Sequence, residues 1–83
     1  MLSTKNNKVG IWDIEYSIIE QNEQYGLEIL LKEKEKIIDK KFVFPLSKNL
    51  NEVESIVKLF YDNEVFPNTV DGILEDFGYY NSI

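Results

Sequence analysis

The chain contains no cysteine, histidine, arginine or alanine. Without cysteine and histidine it lacks a thiolate nucleophile, an imidazole base and the usual sulfur and nitrogen ligands of zinc and iron. Without arginine it lacks the planar group that binds a phosphate or carboxylate in two places. Any catalysis would therefore depend on Asp, Glu, Lys, Tyr, Ser or Thr, and the sequence predicts no catalytic residue, no cofactor and no metal ligand.

Long apolar segments are also missing. No segment approaches the roughly 20 apolar residues that a membrane-spanning helix needs. Met1–Lys8 also lacks the pattern of a signal peptide, in which a basic segment is followed by a hydrophobic one. We therefore expect a soluble cytoplasmic protein. A chain of this length buries roughly 60 to 65% of the surface that its unfolded form exposes, which predicts one small domain without a deep cleft.

Alternation of apolar and polar residues predicts strands after a polar start. Residues 1–7 are polar and are predicted to be disordered, which leaves a single α+β domain over residues 8–83. Apolar residues occupy every second position from Trp12 to Ile18, and again from Tyr25 to Leu31, as in strands with one buried face. The polar segment Gln21–Gln24 predicts the hairpin loop between them. A third, weaker run from Ile38 ends near Pro45, which cannot donate a hydrogen bond to a sheet.

The apolar spacing then changes to that of helices. Apolar residues at positions 53, 56, 57 and 60 predict a helix over about residues 52–63, with Asn51 as its N-cap and Glu54 as the acid of a capping box. Positions 70, 73, 74 and 77 predict a second helix after Pro67, with Gly78 as its left-handed C-cap. The predicted fold is therefore α+β: a three-stranded antiparallel meander followed by two short helices packed on one face, in the order β-β-β-α-α.

Two faces of the predicted sheet follow from this pattern. The predicted core consists of Trp12, Ile14, Tyr16, Ile18, Leu27, Ile29, Phe42, Phe44, Val53, Ile56, Val57, Phe60, Ile73, Leu74 and Phe77. The apolar residues of the opposite phase form a predicted oligomer face, through which the protein would be a monomer or a weak homodimer: Ile19, Leu30, Ile37 and Val43. Alternatively, the aromatic C-terminal tail covers this face.

Charge is distributed unevenly along the chain. Residues 1–48 carry eight lysines and eight acids, whereas residues 49–83 carry seven acids and only Lys58. The whole net charge of −6 therefore lies in the C-terminal part. Such a surface repels nucleic acid, phosphate and anionic lipid and attracts basic groups. The predicted partner is a basic protein surface, for example that of a nucleic-acid-binding protein, with no direct binding of nucleic acid or membrane.

The acids of the helices and the aromatic tail are the predicted partner-binding residues. They are Glu52, Glu54, Asp62, Glu64, Asp71, Glu75, Asp76, Tyr79 and Tyr80. Asp71 and Glu75 lie one helical turn apart, where like charges repel unless a basic partner compensates. The alternative is that the acids are solvated helix faces, some of them favoured by the positive end of a helix dipole.

Lysines and acids also alternate between residues 32 and 41. Five lysines stand there with three acids, at positions 33, 35 and 39. Nucleic-acid-binding segments usually show a larger basic excess together with stacking aromatic residues. The pattern is more typical of a charged strand edge that resists pairing with another sheet.

The segment Tyr16–Phe77 resembles a family of short proteins from clostridia-like bacteria that is classed only as a domain of unknown function. The resemblance depends on residues 25–28 (Tyr-Gly-Leu-Glu), the helix from Asn51 to Phe60, residues 63–67 (Asn-Glu-Val-Phe-Pro) and residues 73–77 (Ile-Leu-Glu-Asp-Phe). It implies a hairpin followed by two helices and brings no activity with it. The Lys-Glu-Lys stretch before Phe42 departs from the family pattern and leaves the register of the third strand open.

Three functional hypotheses follow. The first is a non-enzymatic protein-interaction module, a small acidic regulator or inhibitor that binds a basic protein surface. The second is a nucleic-acid-mimicking inhibitor of a nuclease, of the anti-defence (anti-CRISPR-like) kind that phages and mobile elements carry. The third is a small enzyme built on carboxylates, which the expected lack of a cleft disfavours.

Overall fold

The computed structural model describes residues 3–79. Four antiparallel strands pair in chain order: β1 (Ser3–Val9), β2 (Trp12–Gln21), β3 (Gln24–Glu33) and β4 (Lys36–Ser47). Helix α1 (Leu50–Asp62), a short 3₁₀ helix (Pro67–Thr69) and helix α2 (Val70–Asp76) follow. The helices cover one face of the sheet, and we call the other face the open face.

The predicted three-stranded sheet is wrong, because a fourth strand precedes it. Ser3–Val9, most of which was assigned to a disordered N-terminus, pairs with β2 along its whole length. Two of its residues on the helix side are polar: the Lys5 ammonium lies 5.4 Å from the centre of the Tyr61 ring, and the Asn7 side chain donates to the backbone carbonyl of Tyr61. Polar contacts thus attach this edge strand to α1, and an apolar alternation could not reveal it.

The core lies between the sheet and the helices. Ten predicted core residues are buried: Ile14, Tyr16, Ile18, Leu27, Ile29, Val53, Ile56, Val57, Phe60 and Leu74. Trp12, Phe44 and Ile73 are partly buried, whereas the prediction was wrong for Phe42 and Phe77, which are 54% and 48% exposed. Residues that were not predicted complete the core: Leu31, Val43, Val65 and Val70.

Two register shifts interrupt the pairing of β4 with β3. One lies between Tyr25 and Leu27 and the other between Leu31 and Lys32, both counted on β3. The second shift adds one residue to β4, so Ile37 and Asp39 lie on opposite faces, whereas the first adds two residues and leaves the faces unchanged. Between the two shifts Val43 pairs with Leu27 and is buried in the core. Val43 therefore does not belong to the predicted oligomer face. The other three predicted members, at positions 19, 30 and 37, lie on the open face.

Local geometry explains the turns and helix ends. The β2–β3 and β3–β4 turns each have two central residues with positive φ, Asn22 and Glu23 in one and residues 34 and 35 in the other, as in type I′ turns. In the β1–β2 turn Gly10 has positive φ. The N-cap of α1 is Asn49, whose side chain accepts from the backbone N–H of Asn51, so the prediction of Asn51 as the cap was wrong. Gly78 ends α2 with a φ of 85°, as predicted.

Candidate interaction surfaces

The acids predicted to bind a partner do not form one continuous patch. Glu52 and Glu54 are separated by about 200° around α1, because each helical residue turns the chain by about 100°. On the outer side of α1, Lys58 donates a 2.7 Å hydrogen bond to Asp62 and forms an ion pair with it. The hydrogen bond and the charge attraction raise the pKa of Lys58. Asp71 is paired with Lys41 of β4 at 2.7 Å. These contacts place the acids in separate groups.

One group forms where the end of α2 meets the start of α1. The Tyr79 hydroxyl donates to a carboxylate oxygen of Glu52 in the first turn of α1, and Ser47 Oγ donates to the other oxygen of the same carboxylate at 3.2 Å. Glu75 and Asp76, the last two residues of α2, precede Tyr79 in the chain by four and three residues. We call Glu52, Glu75, Asp76 and Tyr79 the acidic helical end.

Backbone hydrogen bonds fix the position of this group. After α2 the N–H of Gly78 donates to the carbonyl of Glu75, and the N–H of Tyr79 donates to the carbonyl of Leu74. This pattern turns the chain back over the last turn of α2 and brings the Tyr79 ring against the core. Burial, followed by the contact with Glu52, raises the pKa of Tyr79 to about 12, so its hydroxyl stays a neutral donor at physiological pH.

Electrostatics within the molecule disfavour Glu75 and Asp76. Both side chains are exposed, and both lie at the C-terminal end of a helix, where the dipole is negative and favours cations. No basic residue stands in the last turn of either helix. Among residues 3–79, neither carboxylate forms an ion pair. The two acids therefore carry an unfavourable placement that no described contact offsets.

The remaining predicted residues lie elsewhere or outside the described residues. Glu64 follows α1 in the left-handed region with a φ of 52°. The pKa of Tyr16 is raised mainly by the burial of Tyr16 itself, and the negative charge of Glu64 adds to this rise. Glu54 is exposed on the side of α1 away from Glu52. Tyr80 lies outside the part of the chain that the structure describes.

The open face is a second candidate surface, which the sequence located only in part. It carries the partly buried side chains of Ile19, Leu30 and Phe44 and the exposed Phe42. The rings of Phe42 and Phe44 lie 6.4 Å apart between their centres. The alternation predicted Phe42 in the core, but it pairs with Glu28 and lies on the open face.

The polar part of the open face forms a shallow depression. Asn6, Asp13, Glu15, Lys32 and Glu35 line this depression. Lys32 is held by Glu15 at 3.0 Å, so its charge is already paired. Within residues 3–79 no three carboxylates lie close enough together to hold a metal ion. In the same residues, no helix is both long and apolar enough to cross a bilayer.

These features define a small acidic α+β protein in which two helices cover one face of a four-stranded antiparallel sheet. The model of DUF6514, a family of unknown function, matches residues 2–78, and the chain belongs to this family. The match confirms the resemblance seen in the sequence. No curated protein and no solved structure matches the chain.

Proposed function

We propose that the protein is a non-enzymatic interaction module, a small acidic regulator or inhibitor that binds a basic protein surface through its acidic helical end. The observation that supports this function is the placement of Glu75 and Asp76. They are exposed, adjacent and unpaired among the described residues, at a helix end whose dipole disfavours them.

Magnitudes show why this placement favours binding over stability. A charge at the wrong end of a helix costs about 0.3–1 kcal/mol in an exposed position, which is appreciable for a protein whose total stability is about 5–15 kcal/mol. Lysine or arginine side chains of a partner would attract both carboxylates and so offset the unfavourable interaction of these acids with the helix dipole. The acids of this end therefore fit a recognition role better than a stabilising one.

The neighbouring residues suit such a contact. Glu52 is held in place by two donors, Ser47 and Tyr79, so its carboxylate loses little conformational freedom when a cation approaches. The Tyr79 ring is partly buried and supplies a fixed apolar wall beside the charges. Asp71 is excluded from the proposed contact because Lys41 neutralises it.

A binding experiment with charge-matched variants tests the proposal. Immobilised wild-type protein is exposed to an extract of the source organism at low salt, and retained proteins are eluted by raising the salt, because ion pairs between exposed groups are screened. The double variant Glu75→Gln/Asp76→Asn is compared with Glu20→Gln/Glu23→Gln, which removes the same charge from the exposed tip of the β2–β3 hairpin.

The expected result is a basic protein that is retained by the wild type and by the hairpin variant, released at high salt, and lost from the helix-end variant. If all three forms retain the same proteins, the acidic helical end is not the binding surface. Duplex DNA as a competitor distinguishes a general regulator from an inhibitor that mimics nucleic acid. Only the mimic, which would occupy the groove of a nuclease, should be displaced from its partner by DNA.

A further inference from the structure

The outer edge of β4 differs from the rest of the surface. β4 is the last strand in the sheet order, and every residue from 36 to 40 is exposed. Ile37, Ile38 and Phe42 are 50%, 47% and 54% exposed, three of the six large apolar side chains that stand out to solvent in residues 3–79. Lysines on an edge oppose pairing with a strand of like charge, as the sequence predicts, but unpaired backbone groups beside exposed apolar side chains leave the edge open to a strand of complementary charge.

Side chains along this edge alternate in character on the open face. Phe42 pairs with Glu28, Lys40 with Leu30, and Ile37 with Lys32, so these three β4 side chains follow one another as apolar, basic, apolar. The backbone N–H of Lys40 donates to Oδ1 of Asp39 at 2.8 Å. This N–H is therefore directed away from β3, where the carbonyl of an added strand could replace the carboxylate.

The opposite edge of the sheet lacks these features. In β1 the only aliphatic side chain, Val9, is partly buried, and the exposed residues are polar or charged. Its helix side is also occupied, because Lys5 and Asn7 contact Tyr61 of α1. An added strand would find apolar contacts on β4 and none on β1.

Charge indicates the chemistry of the added strand. Residues 34–41 contain four lysines and two acids, in a protein whose net charge is −6. One of these lysines, Lys41, is already paired with Asp71, whereas Lys34, Lys36 and Lys40 form no ion pair within the described residues. The edge therefore complements an acidic segment, in contrast to the acidic helical end.

A second copy of the chain does not fit this edge well. Residues directly opposite in an antiparallel pair lie on the same face, so a two-fold pairing places a residue opposite its own copy. Centred on Asp39, Lys40 or Lys41, the pairing puts two identical charges against each other, which is destabilising. A pairing centred on Phe42 avoids this repulsion but places Lys40 opposite Phe44, so a second copy offers no acid to Lys40, and an acidic segment of another protein fits the edge better.

We propose that the outer edge of β4 binds an extended segment of another protein as a fifth strand, with apolar, acidic and apolar side chains opposite Phe42, Lys40 and Ile37. Backbone hydrogen bonds supply the affinity, and the alternating side chains supply the selectivity. This surface uses none of the acids of the acidic helical end, so the two proposals stand or fall separately.

A titration of the isotope-labelled protein with two synthetic peptides, followed by amide chemical shifts, tests the inference. Both peptides alternate threonine and valine, and they differ only in a central glutamate or lysine. We expect saturable shifts at Ile38, Lys40 and Phe42, with the glutamate peptide binding roughly fivefold more tightly, as expected for opposite against like charges across a strand pair.

Two charge-reversal variants complete the test. Lys40→Glu should reverse the preference between the two peptides, whereas Lys8→Glu, the same change on the other edge strand, should leave it unchanged. Shifts that map to β1 or to the helices, equal affinity for both peptides, or no saturable shift at millimolar peptide would each overturn the proposal.

Discussion

The hydroxyl of Tyr16 donates a 2.9 Å hydrogen bond to the backbone carbonyl of Val65, and both residues are buried. This bond joins the middle of β2 to the turn that follows α1. The direction of α2, and with it the position of the acidic helical end, depends on this turn. One buried contact therefore connects the sheet to the proposed binding surface.

Removing this hydroxyl should destabilise the protein. Tyr16→Phe keeps the ring but leaves the Val65 carbonyl without its partner, and an unsatisfied buried acceptor costs about 1–3 kcal/mol. We expect the free energy of unfolding in urea to fall by roughly that amount. Tyr61→Phe is the control, because the Tyr61 hydroxyl makes no hydrogen bond to a described residue; a loss as large as that of Tyr16→Phe would show that the bond is not the cause.

Gly26 should tolerate no side chain. A Cβ at this position would collide with the backbone carbonyl of Val43 and would come within 2.8 Å of Phe44 Cδ2. A backbone atom paired within the sheet cannot move aside as a flexible side chain can, so Gly26→Ala should lower the free energy of unfolding by about 3 kcal/mol or prevent folding.

Gly72 provides the matched control in thermal unfolding. It lies in α2, and nothing stands within 4 Å of the Cβ that an alanine would add. Because alanine is favoured over glycine in a helix by about 1 kcal/mol, Gly72→Ala should raise the melting temperature. If both alanine variants behave alike, close packing of β4 over Gly26 is refuted.

The sequence predicted those parts of the fold in which burial follows a regular period. The β2–β3 hairpin, with Ile14 and Tyr16 facing inward, and the apolar stripe of α1 each bury one face against the core, so their patterns repeat every two residues or about every three and a half. The sequence did not predict β1, because this strand turns the polar side chains of Lys5 and Asn7 toward the helices. Polar contacts of that kind leave no apolar period.

The errors in β4 and in the candidate site have different causes. In β4 two register shifts interrupt the pairing with β3, and the large side chains of Phe42 and Phe44 lie on the open face, so the apolar alternation wrongly predicted Phe42 inside and Val43 outside. For the acids, composition gave their number but not their neighbours. Whether an acid meets Lys41, as Asp71 does, or stays exposed, as Glu75 does, depends on how α2 packs against the sheet.

Glycine should stabilise the turn between β3 and β4. Lys34 and Glu35 both have positive φ, 51° and 69°, a region that costs an ordinary L-residue roughly 1–2 kcal/mol. Because glycine also loses more chain entropy on folding, we expect Glu35→Gly to stabilise the protein by a net of about 0.5–1 kcal/mol in urea unfolding.

The reverse change at Gly10 checks the same physics. Gly10 has a φ of 63° and open space around it, so Gly10→Ala adds strain without a collision and should destabilise by about 1 kcal/mol. A stabilising Gly10→Ala, or a destabilising Glu35→Gly, would mean that these turns are not held in the left-handed region in solution.

The contact between Tyr79 and Glu52 should appear in the alkaline titration. The folded protein raises the pKa of Tyr79 from 10.0 to about 12, first through burial and then through Glu52, so folding favours the neutral hydroxyl. Its contribution to stability is complete below about pH 10 and is lost as the pH rises toward 12. The wild type minus Tyr79→Phe difference in absorbance at the tyrosinate band should therefore have a midpoint near pH 12. Two variants of α1 check this prediction. Glu52→Gln should lower the midpoint of the Tyr79 titration, because it removes the repelling charge, whereas Glu54→Gln, the same change on the other side of α1, should leave the midpoint unchanged. Equal effects of the two variants would show that Tyr79 responds to the overall negative charge and does not contact Glu52, and the acidic helical end would then lose the residue that joins its two helices.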